Sequence, residues 1–245
     1  MKQPIETLLF DFGGTLDANG VAWKERFYAL YRAEGLDMAA DVFASSFFAA
    51  DDPLVGSLAP ATDLSGTVHA LVANLEADLA RRGAGAHKAC IGNGFGNGDR
   101  GMRVASRFLS DAAAAFARNR PVLAALRERY RLGIVSNFYG NLEAVCHSAG
   151  LASLFAVVVD SHCVGAEKPD PAIFHVALEA LRATPETTVF VGDSLRRDRE
   201  GARRTGMRFI WIVPQGVPAA EAQASAEPPV EHAVTELRDL MKILT

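Results

Sequence analysis

Four short segments of this chain carry residues able to do chemistry, three of them at the end of an apolar run. Leu8-Leu9-Phe10 leads straight into Asp11-Phe12-Gly13-Gly14-Thr15-Leu16-Asp17. An apolar run that ends in a carboxylate and breaks on glycines reads as a buried strand presenting an acid at its carboxyl end. Open α/β sheets bind ligands there. Leu132 to Val135 ends in Ser136-Asn137, Lys168 precedes Pro169-Asp170-Pro171, and Val189-Phe190-Val191 ends in Gly192-Asp193-Ser194 with Asp198 beyond. A carboxylate such as Asp11 can attack phosphorus and form an acyl phosphate, although a lone aspartate there also suits a turn. The donors of Ser136 and Asn137 can hold phosphate oxygens, and the Lys168 ammonium can offset the charge of a transferred group. Pro169 biases Lys168 toward an extended conformation. Asp193 and Asp198 are hard oxygen donors of the kind that bind Mg²⁺, and either could instead cap a helix. Thr15 adds a hydroxyl whose everyday use is a local backbone bond.

Taken together, the four segments resemble the four motifs of the haloacid dehalogenase-like hydrolases, most of which are Mg-dependent phosphatases. The resemblance covers essentially the whole chain. It implies an α/β fold, a doubly wound parallel sheet of Rossmann-like type with an inserted α-helical cap domain. By the same resemblance Asp11, Ser136 and Lys168 are catalytic, and Thr15, Ser136, Asn137 and Lys168 bind phosphate. Mg²⁺ is the implied cofactor, held by Asp11, the Gly13 carbonyl, Asp193 and Asp198. The pattern Gly192-Asp193-Ser194 with a later Asp198 favours the Mg-dependent branch. The metal-free dehalogenases of the family carry a different pattern in this segment.

One position departs from the family. Its first motif reads Asp-x-Asp-Gly-Thr, and the second aspartate is the general acid and base, where this chain has Gly13. A backbone carbonyl ligand survives that exchange and a proton donor does not. General acid help is typically worth about 10²–10⁴-fold, so four outcomes are open. The substrate carries a good leaving group, such as an acyl phosphate. A cap or loop residue supplies the proton, with Asp17, Glu25, Glu34 and Glu167 as candidates. The bond cleaved is to carbon, in phosphonatase or dehalogenase fashion, with Lys24 or Lys88 needed for a Schiff base in the former. Or the chain is a weakly active or non-catalytic relative that binds a phosphorylated ligand or a protein partner.

The elements that must position these residues follow from the apolar pattern. With 245 residues, 49% hydrophobic and 22% charged, the chain can bury a sizeable core. Strands are expected at 5–10, 132–136, 156–160, 189–193 and 209–213, with helices between them at 140–149, 171–181 and 198–205 and a last helix at 234–244. That alternation predicts a parallel sheet covered on both faces. The stretch 214–229 reads as a surface loop. Between the first strand and the rest lies a helical block, with helices expected from about Val21 and at 41–50, 66–82, 103–118 and 122–130, the last opened by Pro121. The division expected is a core of 1–16 and 117–245 and a cap of 17–116. Trp23, Arg26 and Phe27 are candidate substrate contacts in the first cap helix. Gly96-x-Gly98-x-x-Gly101 matches a dinucleotide fingerprint formally, but no strand precedes it, so the run 92–101 reads as a loop.

The formal net charge is −4 and the sequence pI about 5.9, which disfavours nucleic acid and anionic membranes as partners. No apolar stretch approaches the roughly 18 residues of a spanning helix, and the start lacks the apolar segment of a secretory signal. Cys90, Cys146 and Cys163 are odd in number and lack a C-x-x-C spacing, as expected of reduced thiols in a cytoplasmic protein. The six histidines show no metal-ligand spacing. The expected partner is a small phosphorylated substrate, for a monomer or homodimer.

Overall fold

The computed structural model describes residues 3–83, 97–227 and 229–244. Lys88, Cys90 and residues 92–96 of the glycine-rich run lie outside the described residues. Six parallel strands form one sheet: β1 (Thr7–Phe10), β2 (Arg131–Ser136), β3 (Val157–Asp160), β4 (Thr188–Gly192), β5 (Arg208–Ile212) and β6 (His232–Val234). Their order is β3-β2-β1-β4-β5-β6. The doubly wound α/β architecture is therefore as expected. β1 lies between β2 and β4, with Phe10 opposite Ile134 on one side and Val191 on the other. The strand order reverses direction there, and in such sheets the crevice beyond the strand ends is where ligands bind.

Between β1 and β2 run the helices α1 (Trp23–Ala33), α2 (Ala40–Asp51), α3 (Leu64–Arg81) and α4 (Asn97–Arg127). Behind them come α5 (Leu142–Ser148), α6 (Ser161–Val164), α7 (Pro171–Ala180), α8 (Glu200–Thr205), α9 (Ala219–Ser225) and α10 (Leu240–Ile243). One apolar cluster joins the helical block to the sheet, running from Leu8, Phe10 and Phe12 through Trp23 and Phe27 to Phe43, Leu71 and Phe108. A second lies on the other face, around Leu9, Phe174 and Phe190.

Three sequence expectations are corrected. First, Pro121 opens no new helix, because α4 runs through it. Proline removes one intrahelical bond, but Pro121 is on the exposed face, and the buried stripe Ala105, Phe108, Ala112, Phe116, Asn119, Leu123, Leu126 keeps its phase across it. Second, Asn97–Gly101 belongs to the first turns of α4, not to a loop. Gly101 lets α4 approach α3 closely, since a Cβ there would lie 3.0 Å from Val72 and 3.1 Å from Glu76. Third, the C-terminal segment is not one helix. It holds β6, a 3₁₀ turn at Leu237–Asp239 and α10, while α9 lies inside the stretch read as a loop. A three-residue edge strand leaves too little alternation to register as a period.

No helix among the described residues is long and apolar enough to cross a membrane. Cys146 is buried and Cys163 exposed, and both are free thiols. The aromatic cluster under the helical block is its main fixing point. Phe108 is fully buried, its ring stacks on Phe27 at 4.4 Å, and Trp23 meets it edge-on at 5.1 Å. Replacing Phe108 with alanine should lower unfolding free energy by about 3–5 kcal/mol, read as a fall in the urea midpoint with an unchanged slope.

Candidate active site

Asp11, Ser136 and Asp193 stand where strands end, and a loop and a helical turn bring Lys168 and Asp198 to them. Asp11 follows β1 and donates its amide to the Val191 carbonyl at 2.9 Å, which fixes the chain at the sheet's end. Ser136 closes β2 and donates its hydroxyl to Asp11 Oδ1 at 2.7 Å. Lys168 reaches in from the loop after α6, joined to Pro169 by a cis peptide bond. Its Nζ lies 2.7 Å from Asp11 Oδ1 and 2.7 Å from Asp198 Oδ1. Asp193 follows β4, and Asp198 sits in a π-helical turn, Leu195–Arg199. Residues 11, 136, 168, 193 and 198, dispersed along the chain, thus meet at one place.

The electrostatics of this group are unbalanced toward negative charge. Lys168 is almost wholly buried, which by itself disfavours the ammonium; Asp11 and Asp198 outweigh that and hold its pKa above the ordinary value. Burial, followed by repulsion from Asp11 and Asp198, pushes Asp193 well above the usual carboxylate range. Burial also pushes Asp198 up, to about 6, against the pull of Lys168. One oxygen from each of Asp11, Asp193 and Asp198 lies within 4.8 Å of the others. Three acids around one ammonium leave a surplus that a hard divalent cation would neutralise, and oxygen is the donor such a cation takes. The residues present fit Mg²⁺.

Two predicted phosphate contacts have their side chains engaged elsewhere. The Thr15 hydroxyl donates to Asp193 Oδ1 at 3.0 Å. Asn137 uses both ends of its amide on the Lys168 backbone, accepting from the amide at 2.7 Å and donating to the carbonyl at 3.2 Å. These side chains aim Asp193 and Lys168, and Asn137 also borders the cavity. Asp198 also has both oxygens occupied, one by Lys168 and the other by the Ser194 amide at 2.9 Å. Gly14 is at φ 89°, and a Cβ there would lie 2.5 Å from Asp193 Oδ2, so only glycine lets the turn pass under that carboxylate.

The structure gives a physical reason for Gly13. A Cβ at this position would lie 3.3 Å from Trp23 Nε1 and 3.4 Å from Cδ1, so the indole fills the space a side chain would take. Trp23 donates Nε1–H to Asp17 Oδ2 at 2.7 Å. Asp17 also accepts from Arg26 at 2.6 Å and from the Gly14 amide at 2.7 Å. Asp17 is fully buried in this knot and lines a different cavity, on the far side of α1. That removes it from the proton donors expected above. Glu34 is paired with Arg103 and Arg107 away from the site, and Glu167 is exposed and does not border the cavity. Of the three predicted substrate contacts in α1, Trp23 borders the cavity, Phe27 is buried beneath it, and Arg26 lies flat on Phe108 at 3.9 Å.

The cavity measures about 430 Å³ and opens over Asp11. Trp23, Phe47, Phe48, Phe138 and Tyr139 give it an aromatic lining, while Lys24, Arg196 and Arg197 supply positive charge. Asp51, the last residue of α2, also lines it and accepts a hydrogen bond from the Tyr139 hydroxyl. Burial raises the pKa of Asp51 and Asp52 adds to that, against the Tyr139 bond and Arg197. The sequence reading missed Asp51. A period-based signal existed, since an acid at the carboxyl end of a helix opposes the helix dipole, but nothing in the chain order pointed it at β2.

The comparisons with known proteins agree with this geometry. The chain is 35% identical over 114 residues to haloacid dehalogenase-like hydrolase domain-containing protein 3 of Bos taurus, a match covering 46% of this chain and 45% of that protein. It is 42% identical over 79 residues to a phosphoserine phosphatase of Thermus thermophilus, covering 32% of this chain and 31% of that one. The chain thus spans less than half the length of these curated relatives. Among solved structures, a magnesium-bound HAD hydrolase of Bacillus subtilis superposes with a TM-score of 0.56 at 18% identity, covering 99% of this chain and 100% of that one; at that identity the likeness is one of fold. The family model of the haloacid dehalogenase-like hydrolases matches residues 5–206, a span that takes in all four motifs, and the chain belongs to that family.

Proposed function

We propose that this chain is a Mg²⁺-assisted phosphohydrolase that transfers a phosphoryl group from a small phosphorylated metabolite to Asp11 and then to water. The observation that carries the reading is the convergence of Asp11, Ser136, Lys168, Asp193 and Asp198 at the mouth of one cavity. Asp11 is the nucleophile. Its Oδ1 already takes Ser136 and Lys168 as donors, which orients the carboxylate and leaves Oδ2 for attack. The same hydroxyl and ammonium then hold the oxygens of the transferred group. Asp11, Asp193 and the Gly13 carbonyl would hold Mg²⁺, with Asp198 beside them. When bound, the ion offsets the charge of nucleophile and phosphate. The aromatic wall excludes water from the leaving group, and Lys24, Arg196 and Arg197 favour one that carries negative charge.

Three considerations support phosphorus over carbon as the reacting centre. The acidic cluster has no use in a metal-free displacement. Lys24, the described lysine of the two weighed for a Schiff base, is paired with Glu25 at 2.9 Å. Relatives matching part of the chain are phosphatases by name.

The direct test is turnover of acetyl phosphate and phenyl phosphate with and without Mg²⁺. Asp11→Asn should abolish it, since no covalent intermediate can form; turnover that persists in Asp11→Asn overturns the reading. A second expectation concerns pH. Asp198 is raised from 3.8 to about 6 in the folded state, so folding binds protons between those values and stability without cation falls as pH rises through 6. A cation that takes the protons' place should therefore raise the melting temperature more at about pH 8 than at about pH 5. Thermal unfolding with Mg²⁺ titrated at both pH values checks this. A third concerns Gly13. In Gly13→Asp the new carboxylate meets the Trp23 indole, so overpacking of about 1–3 kcal/mol is expected, with no gain of alkyl-phosphate turnover over the parent.

A further inference from the structure

We propose that Asp51 of α2 supplies and recovers the proton for the leaving group, in the role that Gly13 leaves vacant. The inference rests on the phosphohydrolase reading above. Among the described residues, the carboxylates lining the cavity are Asp11, Glu25, Asp51 and Asp193. Asp11 and Asp193 belong to the phosphate end. Glu25 is half exposed and bound to Lys24. Asp51 is left, on the cavity wall beside Tyr139.

Its placement is fixed by two bonds to the loop that follows β2. The Tyr139 hydroxyl donates to Asp51 Oδ1, and the Gly56 amide, five residues after Asp51, donates to the Tyr139 carbonyl at 3.0 Å. Tyr139 is three residues beyond Ser136, which itself holds Asp11. The acid is thus tied to the segment that carries one of the phosphate-holding groups. The groups facing it are Tyr139 from that loop, Asp52 from the turn after α2 and Arg197 from the turn after β4. The helix carboxyl end and Asp52 both favour the neutral acid. With Oδ1 taken by Tyr139, Oδ2 carries the proton.

The chemistry balances in two steps. As an Asp11 oxygen bonds to phosphorus and the bond to the leaving oxygen breaks, the Asp51 proton passes to that oxygen. Asp51, now a carboxylate, takes a proton from water as the water oxygen attacks phosphorus. The Asp11–phosphorus bond breaks and phosphate is released.

The test compares two phosphoryl donors, a simple alkyl phosphate and acetyl phosphate, whose acetate leaves without a proton. In rapid-quench experiments Asp51→Asn should slow Asp11 phosphorylation by the alkyl phosphate by about 10²–10⁴-fold and leave phosphorylation by acetyl phosphate unchanged. The phosphoenzyme formed from acetyl phosphate should then accumulate, because its hydrolysis has lost the base. Asn keeps the shape and the acceptor for Tyr139, and an unchanged melting temperature shows that the fold is intact. Tyr139 is a positioning residue. Tyr139→Phe removes a bond that favours the carboxylate, so the alkaline limb of alkyl-phosphate turnover should move to higher pH. Equal slowing with both donors, slowing with neither, or an unmoved limb in Tyr139→Phe overturns the inference. So does a parent enzyme that accepts acetyl phosphate but no alkyl phosphate, and in that case the phosphohydrolase reading stands. A parent phosphorylated by neither donor removes both.

Discussion

The buried ammonium of Lys168 sits 2.7 Å from both Asp11 and Asp198, and the other features of the strand-end cluster depend on that pairing. Burying an isolated charge costs several kcal/mol even after relaxation, and removing one partner of a buried pair typically costs about 3–5 kcal/mol. Three carboxylates could not share the end of this sheet without a positive charge inside their triangle. The chain invests accordingly in holding Lys168 still. Asn137 clamps its backbone from both sides, and the Ser194 amide occupies the Asp198 oxygen that the ammonium leaves. Even so, Asp193 and Asp198 remain hard to ionise. With three carboxylates and one ammonium the site is formally short of two positive charges, which is the condition that makes a divalent cation welcome.

A second constraint is the knot around Trp23. The indole occupies the space above Gly13, hydrogen-bonds to Asp17, and is wedged among Phe27, Phe108, Phe138 and Tyr139. Asp17 in turn holds Arg26 and the Gly14 amide. The side chain missing at position 13 is thus exchanged for a rivet between α1 and the loop after β1. A carboxylate at that position would have to move the indole, and the helical block is fastened to the sheet close to Asp11.

Much of this was legible from the chain. The strands that lead to Asp11, Ser136 and Asp193 are short, carry apolar runs and are bounded by glycine or polar residues, so their ends announce themselves. The division of labour among the polar side chains was not legible. Whether Asn137 touches a ligand or the Lys168 backbone depends on a contact across 31 positions, and Thr15 is bound to a residue 178 positions away. Asp17 lay nearest to Asp11 in sequence and proved to point elsewhere, because a buried indole and a guanidinium compete for it. Asp51 was hidden for the opposite reason. Its helix gives it an ordinary polar end, and only the folded loop after β2 turns that end into a wall of the cavity. Pro121 misled because local propensity was given precedence over the buried stripe, whose phase continues through it.

That continuous helix has a mechanical meaning. α4 spans 31 residues, about 46 Å at the usual rise, and the boundary expected at 116/117 falls inside it. Its carboxyl half packs on the core through Leu123 and Leu126, its middle holds the Leu16 carbonyl through Asn119, and its amino half carries Phe108 and the close contact with α3. A beam shared by both layers transmits torque. A tilt of a few degrees where it rests against the sheet becomes a displacement of ångströms at its far end, so the roof over Asp11 and the floor beneath it cannot be adjusted separately.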